Sequence, residues 1–267
     1  MKNQPIGVFD SGLGGLTVVK AIRKELPGEK LVYFGDTARI PYGTKSPETI
    51  IRYARQIIRF FRKEEKVKCV VVACNTSSAW ALETVRKEFP IPILGVIEPG
   101  AYAAVSVTRN GRIGVIGTEG TIASGAYVRA IHDIFPKAKV YSKACPLFVP
   151  FVEEGKLSGP VTEAVAREYL QPLLKARVDT LVLGCTHYPL LKTTLAKVAG
   201  PKVKIVDSAE ETARSLHRNL EMHGVPLNGH GGGHYYVSDL SRKFKEHAQR
   251  FLGRHISKVE KVFIEKY

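Results

Sequence analysis

The chain has no long apolar run, few cysteines and no CxxC pair, and each absence removes a class of protein. Four cysteines in 267 residues, none spaced as CxxC, give no support to a zinc or thioredoxin-like site. In a cytosolic chain of this size disulfides are not expected. No segment approaches the roughly 20 apolar residues of a membrane span. The opening MKNQPIGVFDSG holds one apolar run, Ile6 to Phe9, too short for a secretory signal. Glycine and proline are not in excess, and no low-complexity tract is present. The expectation is a soluble, cytoplasmic protein with no membrane partner.

Nucleotide and nucleic-acid motifs are also missing. Gly12, Gly14 and Gly15 do not complete GxGxxG, because the final position is Thr17, and no GxxxxGK is present. A tight strand-to-helix turn is the plainer reading. Its backbone N–H groups, at a helix N-terminus, suit a carboxylate. The net charge of +15 admits nucleic acid, an anionic substrate or a basic solvated surface. Arg52, Arg55, Arg59 and Arg62 line one face of a helix whose apolar face is Ile50, Ile51, Ala54, Ile57, Ile58 and Phe61. No helix-turn-helix, zinc finger or RNA-binding aromatic motif accompanies them. Nucleic acid is therefore not expected as the main partner.

What is present is alternation. Strands are expected at 6–9, 31–34, 69–73, 93–97, 113–116, 138–142, 180–184 and 203–206. Helices are expected at 14–25, 47–64, 77–88, 121–134, 160–175, 188–197, 209–222 and 239–251. Strands that are apolar throughout, separated by helices, argue parallel sheets covered on both faces.

The chain also repeats itself. IGVFDSGLGG at Ile6 returns as IGVIGTEGT at Ile113, and Cys74 lines up with Cys185. The expected fold is α/β: two similar α/β domains with mainly parallel sheets, related by a pseudo-twofold, with the active site at the interface. The first domain is 1–98 plus 208–267, its tail packing back on it, and the second is 99–207. Matching loops of the two halves would then meet, with a hinge near Glu98–Gly100 and Asp207–Ser208.

In open α/β sheets ligands bind at the carboxyl ends of strands. Four such ends carry polar clusters: Asp10-Ser11, Gly35-Asp36 with Pro41-Tyr42-Gly43 behind it, Cys74-Asn75-Thr76, and Cys185-Thr186-His187. Both cysteines fall where a strand gives way to a helix, and the positive end of a helix dipole favours thiolate. One such cysteine reads as buried packing, as Cys69 and Cys145 do. Two at equivalent points of a repeat suit removing a proton from one face of a carbon and returning one to the other. His187 either charges its neighbouring thiol or bonds to backbone. Asp10 is a helix cap or a charge partner in the cleft. Glu153, in PFVEEG, reads as an exposed loop acid, and the GHGGGH run with His230 and His234 as a flexible loop rather than a metal site.

FDSGLGG, PYG, ACNTSS, GVIEPG and GCTHYPL stand in this order. Together they resemble the glutamate racemases of the cofactor-independent aspartate/glutamate racemase superfamily, from Ile6 to about Glu211. The resemblance implies interconversion of L- and D-glutamate for peptidoglycan, without pyridoxal phosphate or metal. It implies Cys74 and Cys185 as the two proton donors and acceptors, assisted by Asp10, Glu153 and His187. It implies substrate held by Asp10, Ser11, Pro41, Tyr42, Gly43, Asn75, Thr76, Thr186 and His187. It also implies a homodimer. Aspartate or hydantoin racemisation, nucleic-acid binding and a non-catalytic amino-acid-binding module are the alternatives, and the last explains neither thiol.

Overall fold

The computed structural model describes residues 4–222, 224–227, 231–241, 244–253, 255–256 and 258–267. In chain order the first half holds β1 (Ile6–Asp10), α1 (Leu16–Glu25), β2 (Leu31–Gly35), α2 (Pro47–Phe60), β3 (Cys69–Val72), α3 (Asn75–Glu88) and β4 (Ile93–Gly95). The second holds α4 (Ile97–Val107), β5 (Arg112–Gly117), α5 (Glu119–Ala123), α6 (Ala126–Ile134), β6 (Lys139–Ala144), α7 (Phe148–Glu153), α8 (Pro160–Lys175), β7 (Thr180–Gly184), α9 (Lys192–Ala199) and β8 (Lys204–Asp207). Then come α10 (Ser208–Met222), β9 (Gly233–Val237), α11 (Phe244–Leu252) and β10 (Glu260–Lys261).

Local chemistry accounts for the elements. Every residue of β1, β2, β3 and β7 is buried, as strands covered on both faces require. At the start of α2, Ser46 Oγ accepts from Thr49 N–H, Pro47 opens the helix and Glu48 sits in the first turn. Its buried stripe is Ile50, Ala54, Ile57 and Ile58, and Arg52 and Arg59 lie outside it.

The strands form two sheets, ordered β10-β9-β2-β1-β3-β4 and β6-β5-β7-β8. All described pairings are parallel. The order β2-β1-β3-β4 returns as β6-β5-β7-β8, so the sequence repeat is a repeat of topology. Ile6 pairs with Leu31 and Cys69, and its counterpart Ile113 with Val140 and Thr180. Cys74 and Cys185 thus follow the same strand of two sheets. β9 and β10 extend the first sheet beyond β2, and α10 packs on α1 and α4. One apolar cluster runs across both halves, joining Ile6, Val8 and Val71 to Ile116, Leu183 and Tyr188.

Several expected boundaries move. The helix expected over 121–134 breaks at Gly125, which takes φ 65°, into α5 and α6. The segment expected to hinge at Glu98–Gly100 lies inside α4, which packs on the second sheet. α7 escaped the sequence reading because prolines at 146 and 150 interrupt its pattern. The helix expected at 239–251 is α11, starting at Phe244. Of the two loop histidines, His234 lies in β9 and His230 lies outside the described residues.

Candidate active site

A cavity of about 290 Å³ opens where the two sheets face each other, near the lower limit for small-ligand sites. Ser11, Gly12, Pro41, Tyr42, Gly43, Cys74, Asn75 and Thr76 line it from the first half. Thr118, Glu119, Pro146, Val149, Pro150, Glu153, Cys185, Thr186 and His187 line it from the second. A larger cavity of about 660 Å³, edged by Lys20, Lys24, Lys192 and Arg214, contains neither Cys74 nor Cys185.

The first wall is built at the end of β3. Cys74 is the N-cap of α3, and its Sγ accepts the Ser77 N–H at 3.4 Å. Ser11 Oγ lies 3.7 Å from the same sulfur. The helix terminus alone does not decide the thiol's ionisation, however. Burial, with the neighbouring charge of Asp10, pushes Cys74 up to about 12, against the Ser77 and Ser11 contacts. The expected thiolate bias is therefore overridden at Cys74.

The second wall carries a relay. His187 Nδ1 lies 3.9 Å from Cys185 Sγ, and His187 Nε2 lies 3.2 Å from Glu153 Oε1. Burial opposes the imidazolium, but the hydrogen bonds to Cys185 and Glu153 outweigh it and raise His187 to about 10. Burial likewise acts to raise Glu153, and the His187 bond and charge hold it below its usual value. Glu153 is not the exposed loop acid its sequence context suggested. It ends α7 and is half-buried.

Asp10 lies beneath the cavity, fully buried. Its Oδ2 accepts the Gly12 N–H at 2.9 Å, and its Oδ1 accepts Thr186 Oγ1–H at 3.3 Å. Burial raises its carboxyl, partly offset by the charge of His187. It caps the turn and touches the far half at once. Packing alone requires a glycine at position 14. A Cβ there would come within 2.2 Å of Thr186 Oγ1 and 2.5 Å of His187 Nδ1. The turn before α1 is thus pressed against the second half.

Three hydroxyls close the rim. Thr76 Oγ1 lies 2.9 Å from Thr118 Oγ1 and 3.1 Å from Thr121 Oγ1, which are 3.0 Å apart. Beside them Trp80 donates to the Gly120 carbonyl at 3.0 Å. Asn75 accepts from Tyr127 Oη–H at 2.7 Å, while its buried Nδ2 has no partner. An unpaired buried donor is costly, and here it lies in a cavity wall. Tyr42 Oη donates to buried Asp36, which also accepts from Arg39 and Ser238.

Of the expected site residues, Ser11, Pro41, Tyr42, Gly43, Cys74, Asn75, Thr76, Glu153, Cys185, Thr186 and His187 border this one cavity, and Asp10, expected to hold substrate, does not: it is fully buried on Gly12 and Thr186. Thr118 and Glu119 were not foreseen. The repeat held the signal, since the offset that carries Ile6 to Ile113 carries Ser11 to Thr118. Among the described residues no group of three or more His, Cys, Asp and Glu is arranged to hold a metal.

The profile of the Asp/Glu/Hydantoin racemase family matches residues 6–216. The chain belongs to this family. It is an amino-acid racemase, an isomerase. Glutamate racemases of Geobacter metallireducens and Syntrophus aciditrophicus are 54% and 51% identical, over 97% of this chain and 97% and 96% of theirs. The crystal structure of the Francisella tularensis glutamate racemase in complex with D-glutamate superposes with TM-score 0.93 at 40% identity, covering 100% of both chains. The family resemblance of the five motifs and the α/β class with two parallel sheets are both borne out. No described helix is long and apolar enough to cross a membrane.

Proposed function

We propose that this racemase interconverts L- and D-glutamate by two-base proton transfer between Cys74 and Cys185. The observation that carries the reading is that equivalent strand ends of two repeated sheets bring one sulfur each to a single cavity. In the first step a thiolate takes the α-hydrogen as a proton, leaving its electron pair on the carbon. In the second, the opposite thiol gives a proton to the other face. Each turnover exchanges which sulfur is protonated, so no electron is gained or lost. Following the family, Cys185 works on L-glutamate and Cys74 on D-glutamate.

The thiolate needs help that differs between the walls. At Cys185, the His187 imidazolium stands beside the sulfur, steadied by Glu153. At Cys74, where burial and Asp10 oppose ionisation, the substrate ammonium supplies the missing positive charge. Carboxylates of the substrate are held by Ser11, Tyr42-Gly43, Asn75-Thr76 and Thr186, with Pro41 packed beside them as a lining residue without a donor. The unpaired Asn75 Nδ2 supports this. Preorganised donors of this type each matter by roughly 10²–10³ in rate, and the route requires neither pyridoxal phosphate nor metal.

The working unit we infer is two domains, the expected 1–98 with 208–267 and 99–207 with their first boundary drawn back to Val96 so that α4 stays whole in the second, closing over substrate. The enzyme would work in the cytoplasm as a homodimer and supply D-glutamate for peptidoglycan. The test is incubation with L-glutamate in D₂O without added cofactor. Formation of D-glutamate carrying one α-deuterium is expected, with aspartate turned over far more slowly. Absence of both product and label would overturn the proposal.

A further inference from the structure

The tail reaches the wall of the cavity that carries His187 and Glu153. Arg250, on α11, is remote in sequence from every cavity residue. Its Nη1 donates to the carbonyls of Val152 at 3.2 Å and Glu153 at 2.8 Å. These are the last residues of α7: the Val152 carbonyl also accepts the Gly155 N–H at 3.1 Å, and the Glu153 carbonyl is of the kind a helix end leaves to partners outside the helix. The guanidinium also lies over the turn that follows: a Cβ on Gly155, which takes φ 71°, would sit 3.1 Å from its atoms. The next residue, Phe251, meets the His187 ring edge-on, 5.1 Å between centroids and 80° between planes. One turn of α11 therefore touches both partners of the His187–Glu153 bond.

We propose that Arg250 is a positioning residue for the racemisation, fastening the end of α7 so that Glu153 stays on His187 and His187 on Cys185. Backbone carbonyls at a helix end carry partial negative charge, and a cation fixed on two of them holds the terminus in place. The alternative partner, Glu246, is exposed and lies 3.6 Å away, and such a surface pair contributes little. α7 has only six residues, too short to hold itself. Its register over the cavity depends on what binds its end. The inference rests on the reading that Glu153 acts through His187.

The test is a double-mutant cycle on the full chain, with kcat and KM measured for Arg250→Gln, Arg250→Lys, Glu153→Gln and the double variant Arg250→Gln/Glu153→Gln. A misplacement of about 1 Å costs up to about 10²-fold, so R250Q is expected to lower kcat by about 10- to 100-fold with KM little changed. R250K, which keeps the donor and charge, recovers most of the rate. The double variant is expected to be no slower than E153Q, because an arginine acting through Glu153 has nothing left to position. Rate losses that multiply in the double variant, or a wild-type kcat in R250Q, overturn the proposal. Should R250Q not fold, the same cycle run with Arg250→Met, which keeps the aliphatic stem and removes the donors, carries it, and multiplying losses there overturn it equally. If E153Q alone runs at the wild-type rate, the role given to Glu153 fails as well, and that result is read separately from the cycle.

Discussion

Thr186 Oγ1 donates to Asp10 Oδ1 at 3.3 Å. The residue beside the second cysteine thereby meets the residue beneath the first, across an interface between two copies of one topology. The contact couples the ends of β1 and β7, and it lies where Gly14 leaves no room for a side chain. The site is therefore a property of the interface and not of either half.

The two thiols carry the chemistry in the proposed route. Cys74→Ser and Cys185→Ser are each expected to lower racemisation by at least the 10²–10⁴-fold that a positioned proton donor contributes. Circular dichroism should be unchanged. Exchange of a single enantiomer's α-hydrogen in D₂O should outlast racemisation. A serine variant with near-native turnover would remove that sulfur from the mechanism.

His187 is expected to make stability depend on pH. Its folded value of about 10 exceeds the ordinary 6.5. The charged form is thus favoured by folding, and that stabilisation is complete below about 6.5 and fades as pH rises through about 10. Melting temperature measured across this window should fall more steeply for the wild type than for His187→Gln. Parallel slopes would show that the imidazolium is not held by Cys185 and Glu153.

Gly14→Ala tests the press between the halves. The added methyl must displace Thr186 and His187, and overpacking of this kind costs about 1–3 kcal/mol. The expected result is a urea midpoint lowered accordingly and a rate loss greater than the stability loss explains. Unchanged kinetics in a destabilised protein would separate the contact from catalysis.

Far from the cavity, Lys68 pairs with Glu29 at 2.7 Å, both side chains almost fully buried, and Lys68 also donates to the Pro226 carbonyl at 2.8 Å. Lys68→Met removes the Lys68 cation from the buried Glu29 carboxylate, and breaking one side of a buried pair costs up to about 3–5 kcal/mol. Urea unfolding should show this loss, and KM should not move. Replacing both residues, Lys68→Met with Glu29→Leu, is expected to recover part of it.

Much of this arrangement was legible in the sequence. Apolar runs announced β1, β2, β3, β5 and β7, because a strand buried on both faces has no polar positions to hide. The repeat showed that Cys74 and Cys185 occupy equivalent strand ends. Tertiary structure decided what periodicity does not encode. Glu153 became a partner of His187 only because α7, hidden by its prolines, packs on the turn at Tyr188–Leu191 that follows β7. Cys74 lies at a helix N-terminus, yet burial and Asp10 override that terminus, since desolvation depends on everything packed around the sulfur. Arg250 reaches α7 because β9 joins the first sheet and brings α11 behind the site. Strand ends follow from local pattern, and the charges, donors and contacts around them come from residues distant in the chain.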